Sequence, residues 1–109
     1  MHKLATTLLS FLLTAHASAT TLELYYSPYC PYCNRVTSYL SSIRKCVPMK
    51  NVAGNAQVRE ELIRIGGKAQ VPCLVIDGKA LYESEEIIKW FSAHKDELEN
   101  MGPTGCRTQ

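Results

Sequence analysis

The sequence predicts one α/β domain built on a four-stranded mixed sheet with helices on both faces. Its 109 residues suffice for a single compact domain, and its 46% hydrophobic and 20% charged residues are ordinary for a globular protein. Segments with strand and helix periodicity follow one another in the order β-α-β-α-β-β-α. A βαβ unit followed by a hairpin and a closing helix forms such a sheet.

The N-terminal segment differs from the rest of the chain. A short basic start at His2 and Lys3 precedes an apolar run from Leu4 to Ala15, and Ala17-Ser18-Ala19 has the small residues that signal peptidase accepts. The apolar run is shorter than the roughly 20 residues that a membrane-spanning helix needs. We therefore predict a signal peptide over residues 1–19, cleaved after Ala19. The protein is expected to be exported, periplasmic or extracellular, with no stable membrane association.

The first predicted strand and helix follow directly. Thr21 to Tyr26 alternates and is rich in β-forming residues, which predicts a strand. A helix from Tyr32 to about Lys45 is predicted because apolar residues recur at helical spacing: Val36, Tyr39, Leu40 and Ile43.

The second strand and helix are predicted from breakers as much as from periodicity. Cys46 to Val52 predicts a short edge strand, since Pro48 cannot donate a ladder hydrogen bond. Asn55 to Ile65 has a single apolar face and predicts a helix, which Gly66-Gly67 ends.

The last elements are a hairpin and a helix. Pro72 to Asp77 predicts a buried strand, Asp77-Gly78 a tight turn, and Lys79 to Tyr82 the partner strand. Ser84 is predicted to be the N-cap of the third helix, whose first turn holds the acidic residues that suit a helix start, Glu85 and Glu86.

The charge pattern narrows the class of partner. A net charge of +2 with scattered basic residues does not favour nucleic-acid binding. The domain is expected to span residues 20–101 and to be a monomer. Residues 102–109 have no periodicity and predict a flexible tail.

Cys30-Pro31-Tyr32-Cys33 lies where a strand leads into a helix. The first N–H groups of a helix have no internal partner, so they stabilise a thiolate at Cys30 relative to the neutral thiol. Pro31 suits the first helical position because its missing N–H would be unpaired there. Cys33 lies nearly one turn later, within disulfide reach. Cys30 is therefore the predicted nucleophile, and Cys33, further inside the helix, the resolving thiol.

Two other uses of this pair were weighed. The cysteines could form a structural disulfide or half of a zinc site. A closed zinc site needs four ligands, yet the chain has no second Cys-x-x-Cys, and His94 is its one histidine after residue 19. No metal is expected.

The order of these motifs resembles the glutaredoxins of the thioredoxin superfamily. Cys30-Pro31-Tyr32-Cys33 follows a strand, Val71-Pro72 precedes a hydrophobic strand, and a helix opens at Glu83-Ser84. The resemblance implies a thioredoxin-like fold and a redox-active Cys30–Cys33 disulfide. It further implies glutathione as redox co-substrate, with protein disulfides or mixed disulfides as partners.

The same resemblance implies the glutathione-binding residues. The proline at position 72 would be cis and face the active-site cysteines, and Val71 would offer its backbone to the cysteinyl part of glutathione. The segment that ends in Glu83-Ser84 also resembles the N-terminal domain of glutathione transferases, where such a pair holds the γ-glutamyl end. Free N–H groups at a helix start can bind a carboxylate. The implied set is Tyr32, Gln70, Val71, Pro72, Glu83 and Ser84.

Two positions depart from the family pattern. Many glutaredoxins have a lysine where this chain has Ser27, so one cationic contact is missing, and Lys68 or Arg35 could substitute for it. The Gly-Gly-x-Asp stretch typical after the hairpin is also absent. Leu81-Tyr82-Glu83-Ser84 stands there instead, which leaves γ-glutamyl recognition the less secure half of the site.

Three further cysteines need a place. Strand alternation turns Cys73 away from the face that Pro72 presents, which predicts a buried core thiol rather than a reactive one. Cys46 and Cys106 could pair with each other or with other chains.

The leading functional prediction is glutathione-dependent thiol–disulfide exchange. The alternatives are a glutathione-independent oxidase or isomerase of exported proteins, and a non-catalytic module that binds glutathione or an iron–sulfur cluster. A glutathione transferase is disfavoured because the chain cannot contain the second, helical domain that such enzymes use.

Overall fold

The computed structural model describes residues 20–101. The predicted signal peptide over 1–19 and the predicted tail over 102–109 lie outside these residues, so cleavage, compartment and tail stay predictions. Within the described part of the chain, no helix is long and apolar enough to cross a membrane.

The described chain forms four strands and four helices. In chain order they are β1 (Leu22–Tyr26), α1 (Pro31–Ser42), β2 (Met49–Asn51), α2 (Ala56–Gly66), β3 (Cys73–Ile76), β4 (Lys79–Tyr82), α3 (Ser84–Ala93) and α4 (Lys95–Met101). The strands make one sheet in the order β2-β1-β3-β4. β1 and β2 are parallel, whereas the β1–β3 and β3–β4 pairs are antiparallel. The predicted four-stranded mixed sheet is confirmed, with β2 at its edge.

The two faces of the sheet carry separate cores. Alternation along β1 sends Leu22 and Leu24 to one face and Tyr25 to the other. On the first face, side chains of α1, α3 and α4 pack against the sheet, and on the second face α2 does so through Leu62. Helices therefore cover both faces, as the alternation predicts.

Local sequence explains where the helices begin and end. The Asn55 side chain accepts a hydrogen bond from the Val58 N–H at 3.2 Å and caps α2. Gly67 closes α2 with a left-handed φ of 92°, which glycine adopts without a steric penalty. Asp77 and Gly78 both have positive φ, 49° and 84°, which matches the twist of a tight hairpin between β3 and β4.

Two boundaries differ from those predicted. Ser84 is the first residue of α3 and is not its N-cap; Glu83 occupies the cap and gives no side-chain hydrogen bond to it. The second difference is α4, which the sequence did not predict as a separate helix. His94 separates it from α3: its Nδ1 lies 2.8 Å from the Trp90 carbonyl oxygen, and its ring stacks on Trp90 with centroids 4.1 Å apart.

Gly66, at the end of α2, lies against β4. A Cβ atom at this position would come within 2.8 Å of the Ala80 Cβ and into the Tyr82 ring. Tyr82 cannot easily yield, because its hydroxyl donates a hydrogen bond to the Lys68 carbonyl oxygen at 2.9 Å. We expect Gly66→Ala to lower the free energy of unfolding by about 1–3 kcal/mol, measured by urea denaturation. A gain of roughly 1 kcal/mol, typical of Gly→Ala in an unobstructed helix, would contradict this crowding.

Candidate active site

Three loops meet at one end of the sheet because of its strand register. Tyr25, near the carboxyl end of β1, pairs with Cys73 at the start of β3, and Cys73 pairs with Tyr82 at the end of β4. The loop after β1, the Val71-Pro72 segment before β3 and the Glu83-Ser84 junction after β4 therefore lie side by side. The sequence separates these segments by up to 50 residues, and only antiparallel pairing brings them together.

Cys30 occupies the N-cap of α1. Its backbone is extended, with φ −105° and ψ 115°, and its Sγ accepts a hydrogen bond from the Cys33 N–H at 3.2 Å. Pro31 follows at the first helical position, as predicted. An N–H group aimed at sulfur favours negative charge on that sulfur, so the start of α1 stabilises the Cys30 thiolate.

The two motif cysteines differ sharply in exposure. Cys30 is half-buried, whereas only 1% of Cys33 is exposed. Burial raises the pKa of the Cys33 thiol from 9.0 to about 12, and its hydrogen bond with Cys30 adds to the rise. Cys33 therefore stays a neutral thiol near neutral pH while Cys30 is open to a substrate. A disulfide entering the site meets Cys30 first.

The Val71-Pro72 segment lies opposite Cys30. The peptide bond between these residues is cis, as the resemblance implied. The Val71 carbonyl oxygen is 3.8 Å from Cys30 Sγ, so the backbone of this segment borders the reactive sulfur. A substrate that reaches Cys30 passes alongside this backbone.

A groove of about 640 Å³ adjoins Cys30 through Val71. All six residues predicted to bind glutathione line it: Tyr32, Gln70, Val71, Pro72, Glu83 and Ser84. The remaining lining residues are Arg35, Glu85 and Glu86. From the sequence, the two glutamates were assigned to the first turn of α3; their side of that turn also forms a wall of the groove.

The junction between β4 and α3 holds a carboxylate in place. Glu83 has a positive φ of 77°, a conformation that costs a non-glycine residue free energy. Its Oε2 accepts a hydrogen bond from Gln70 Nε2 at 3.3 Å. Ser84, 5% exposed, opens the helix, whose first N–H groups have no partner within the helix. This wall can therefore present both acceptors and donors to a ligand.

The two cations proposed to replace the missing lysine have different places. Arg35 lines the groove, with its guanidinium 6.0 Å from the centre of the Tyr32 ring and 3.7 Å from Glu85. The Lys68 ammonium lies 4.6 Å from the centre of the Tyr82 ring. Only Arg35 is part of the groove wall.

The other described cysteines take no part in the groove. Cys73 is fully buried in the core between the sheet and α2, where burial raises its pKa to about 11, and this confirms the predicted core thiol. Cys46 is disulfide-bonded. Among residues 20–101, no cluster of three histidine, cysteine, aspartate or glutamate side chains could hold a metal ion.

Comparison with known proteins agrees with this geometry. The family model described as Glutaredoxin matches residues 22–81. Glutaredoxin 3 of Escherichia coli strain K12 is 38% identical over 58 residues, which cover 53% of this chain and 70% of that protein. An uncharacterized glutaredoxin-like 8.6 kDa protein in the rubredoxin operon of Clostridium pasteurianum is 32% identical over 60 residues, which cover 55% and 80%.

Solved structures share the fold. Oxidized glutaredoxin 2 from Chlamydomonas reinhardtii superposes with a TM-score of 0.57 at 24% identity, covering 76% of this chain and 83% of the other. The holo form of glutaredoxin C1 from Populus tremula x tremuloides gives a TM-score of 0.56 at 20% identity, covering 72% and 83%. At these identities the likeness is one of fold alone. Together with the family match and the sequence relatives, it shows that the chain belongs to the glutaredoxin family and is a thiol–disulfide oxidoreductase.

Proposed function

We propose that this protein catalyses glutathione-dependent thiol–disulfide exchange with Cys30 as nucleophile and Cys33 as resolving thiol. The observation that carries the proposal is the asymmetry of the pair: a half-buried Cys30 sulfur that accepts the Cys33 N–H at 3.2 Å, next to a Cys33 thiol that is 1% exposed. Accessible thiolates attack disulfides, and sequestered thiols act only after a mixed disulfide has brought the sulfurs together.

The exchange proceeds in two sulfur transfers. The Cys30 thiolate attacks one substrate sulfur, the substrate S–S bond breaks, and the departing sulfur leaves with the bonding electron pair and takes up a proton. Cys33 then gives its proton to the second departing sulfur and attacks Cys30 Sγ. The substrate has gained two electrons and two protons, and the enzyme holds a Cys30–Cys33 disulfide. Two molecules of glutathione restore the dithiol and leave as glutathione disulfide.

The groove beside Cys30 suits glutathione as the co-substrate. The Val71 backbone lies where the cysteinyl part of a bound thiol would pass, since its carbonyl is 3.8 Å from Cys30 Sγ. The free N–H groups at the start of α3 can receive the γ-glutamyl carboxylate, and Glu83 can receive the γ-glutamyl ammonium. Tyr32 forms the opposite wall, with 60% of its surface exposed. These residues would bind and orient glutathione and leave the chemistry to the two sulfurs.

Equilibration of the reduced domain with mixtures of reduced and oxidised glutathione tests this function. We expect a Cys30–Cys33 reduction potential between about −200 and −230 mV, the range of glutaredoxins, and turnover that requires glutathione. The chain without Cys73, as Cys73→Ser, serves as control because its dithiol is unchanged. A potential near −120 mV would instead identify a strong oxidant of exported proteins.

A further inference from the structure

The groove beside Cys30 has a charge opposite to that of the whole chain. Its lining includes three carboxylates, Glu83, Glu85 and Glu86, against one guanidinium, Arg35, a formal charge of −2. The whole chain carries +2. The negative charge is thus concentrated at the surface that a substrate meets.

These carboxylates are only weakly neutralised. The Glu85 side chain is 75% exposed and lies 3.7 Å from Arg35, and Glu86 lies 3.6 Å from the equally exposed Lys89. Exposed ion pairs at such distances contribute little to stability and exchange readily with other partners. The Glu83 carboxylate accepts one neutral hydrogen bond, from Gln70. The groove therefore keeps a negative potential that a ligand can use.

The nucleophile also lies between two exposed aromatic rings. Tyr29 is 85% exposed and Tyr32 60%, on either side of Cys30 along the chain. Exposed aromatic rings bind side chains of a polypeptide through apolar contact and cation–π attraction. A substrate whose sulfur reaches Cys30 places its neighbouring residues against Tyr32 and the acidic wall.

We propose that this groove selects disulfides carried by positively charged polypeptide segments over anionic disulfides, glutathione disulfide included. Glutathione has two carboxylates and one ammonium, so only its ammonium is attracted by Glu83, Glu85 and Glu86. A segment with Lys or Arg beside its half-cystine is attracted throughout. The inference rests on the proposed function, because selection acts on the same transfer in which Cys30 joins one substrate sulfur and the other leaves as a thiol.

Symmetric peptide disulfides provide the probe, since either sulfur then presents the same neighbours to Cys30. Three peptides differ only at the residues flanking cysteine, which are Lys, Gln or Glu. Single-turnover reduction by the reduced protein is followed by chromatography of the released peptide thiol. We expect the Lys peptide to react about fivefold faster than the Glu peptide at low salt. The ratio should fall towards one in 1 M salt, where charges are screened within about 3 Å.

Charge-matched variants assign the effect to the groove. Glu85→Gln combined with Glu86→Gln should reduce the Lys-to-Glu ratio to about twofold or less. Glu60→Gln combined with Asp96→Asn removes the same charge from exposed positions on α2 and α4 and should keep the full ratio. Equal rates for the three peptides at low salt, or an unchanged ratio in the groove variant, would overturn the inference while leaving the exchange reaction intact. Reduction of no disulfide at all would overturn the proposed function, and this inference with it.

Discussion

Replacement of Cys30 by serine is expected to abolish turnover, lowering the rate by about a thousandfold or more. The serine hydroxyl stays protonated at neutral pH and cannot form a disulfide, although it fits the same N-cap position. Cys33→Ser should behave differently. It should keep the reduction of small glutathione mixed disulfides, because a second glutathione can resolve the Cys30 adduct, and lose the reduction of intramolecular protein disulfides.

The pair of variants has an internal control. Cys73 is as buried as Cys33 but lies on the α2 side of the sheet, so Cys73→Ser should keep both activities if it folds, which circular dichroism can check. Turnover by Cys30→Ser on either substrate would reject Cys30 as the attacking sulfur. Loss of both activities in a folded Cys33→Ser would reject the division of roles between the two cysteines.

The second large effect is the difference in reactivity between the two motif thiols. A thiol whose pKa rises holds its proton to higher pH, so the shift of Cys33 from 9.0 to about 12 lowers its thiolate fraction near neutral pH about a thousandfold. At pH 7 iodoacetamide should modify Cys30 and spare Cys33. Modification of Cys33 in the folded protein should begin only under strongly alkaline conditions.

Peptide mapping by mass spectrometry after a timed quench measures this selectivity. In 8 M urea, Cys33 and Cys73 should react at the rate of an ordinary thiol, which controls for intrinsic differences between the peptides. Cys46, being disulfide-bonded, should stay unmodified unless a reductant is added. Equal labelling of Cys30 and Cys33 at pH 7 in the folded protein would contradict the burial of Cys33.

The sheet and the first helix could be predicted because their information is local. Alternation at Leu22, Leu24 and Tyr25 assigns each side chain to a face, and both cores use that assignment. The Cys30-Pro31 start of α1 combines a capping position with a residue suited to the first turn, and the helix begins at Pro31. The Asp77-Gly78 turn fixed the β3–β4 pairing in the same way.

What failed depends on contacts between distant residues or on unusual backbone. Serine is a common N-cap, yet Ser84 lies inside α3, because Glu83 adopts a positive φ that few non-glycine residues adopt and takes the cap position itself. The break before α4 depends on the His94 ring bonding to and stacking on Trp90, which no periodicity encodes.

The residues of the groove could be named from the resemblance, but their grouping follows from the strand register. Val71 and Glu83 reach the Cys30 loop only because β3 pairs with both β1 and β4 in antiparallel register. The roles of Glu85 and Glu86 in the groove wall likewise follow from the orientation of α3. From sequence they have only the role of acidic first-turn residues.

Trapping the mixed disulfide tests the assignment of the attacking sulfur most directly. Cys33→Ser, incubated with oxidised glutathione and digested without reductant, should yield one glutathionylated peptide, the one that contains Cys30. An adduct on Cys73 with Cys30 unmodified, or no adduct at all, would contradict the account.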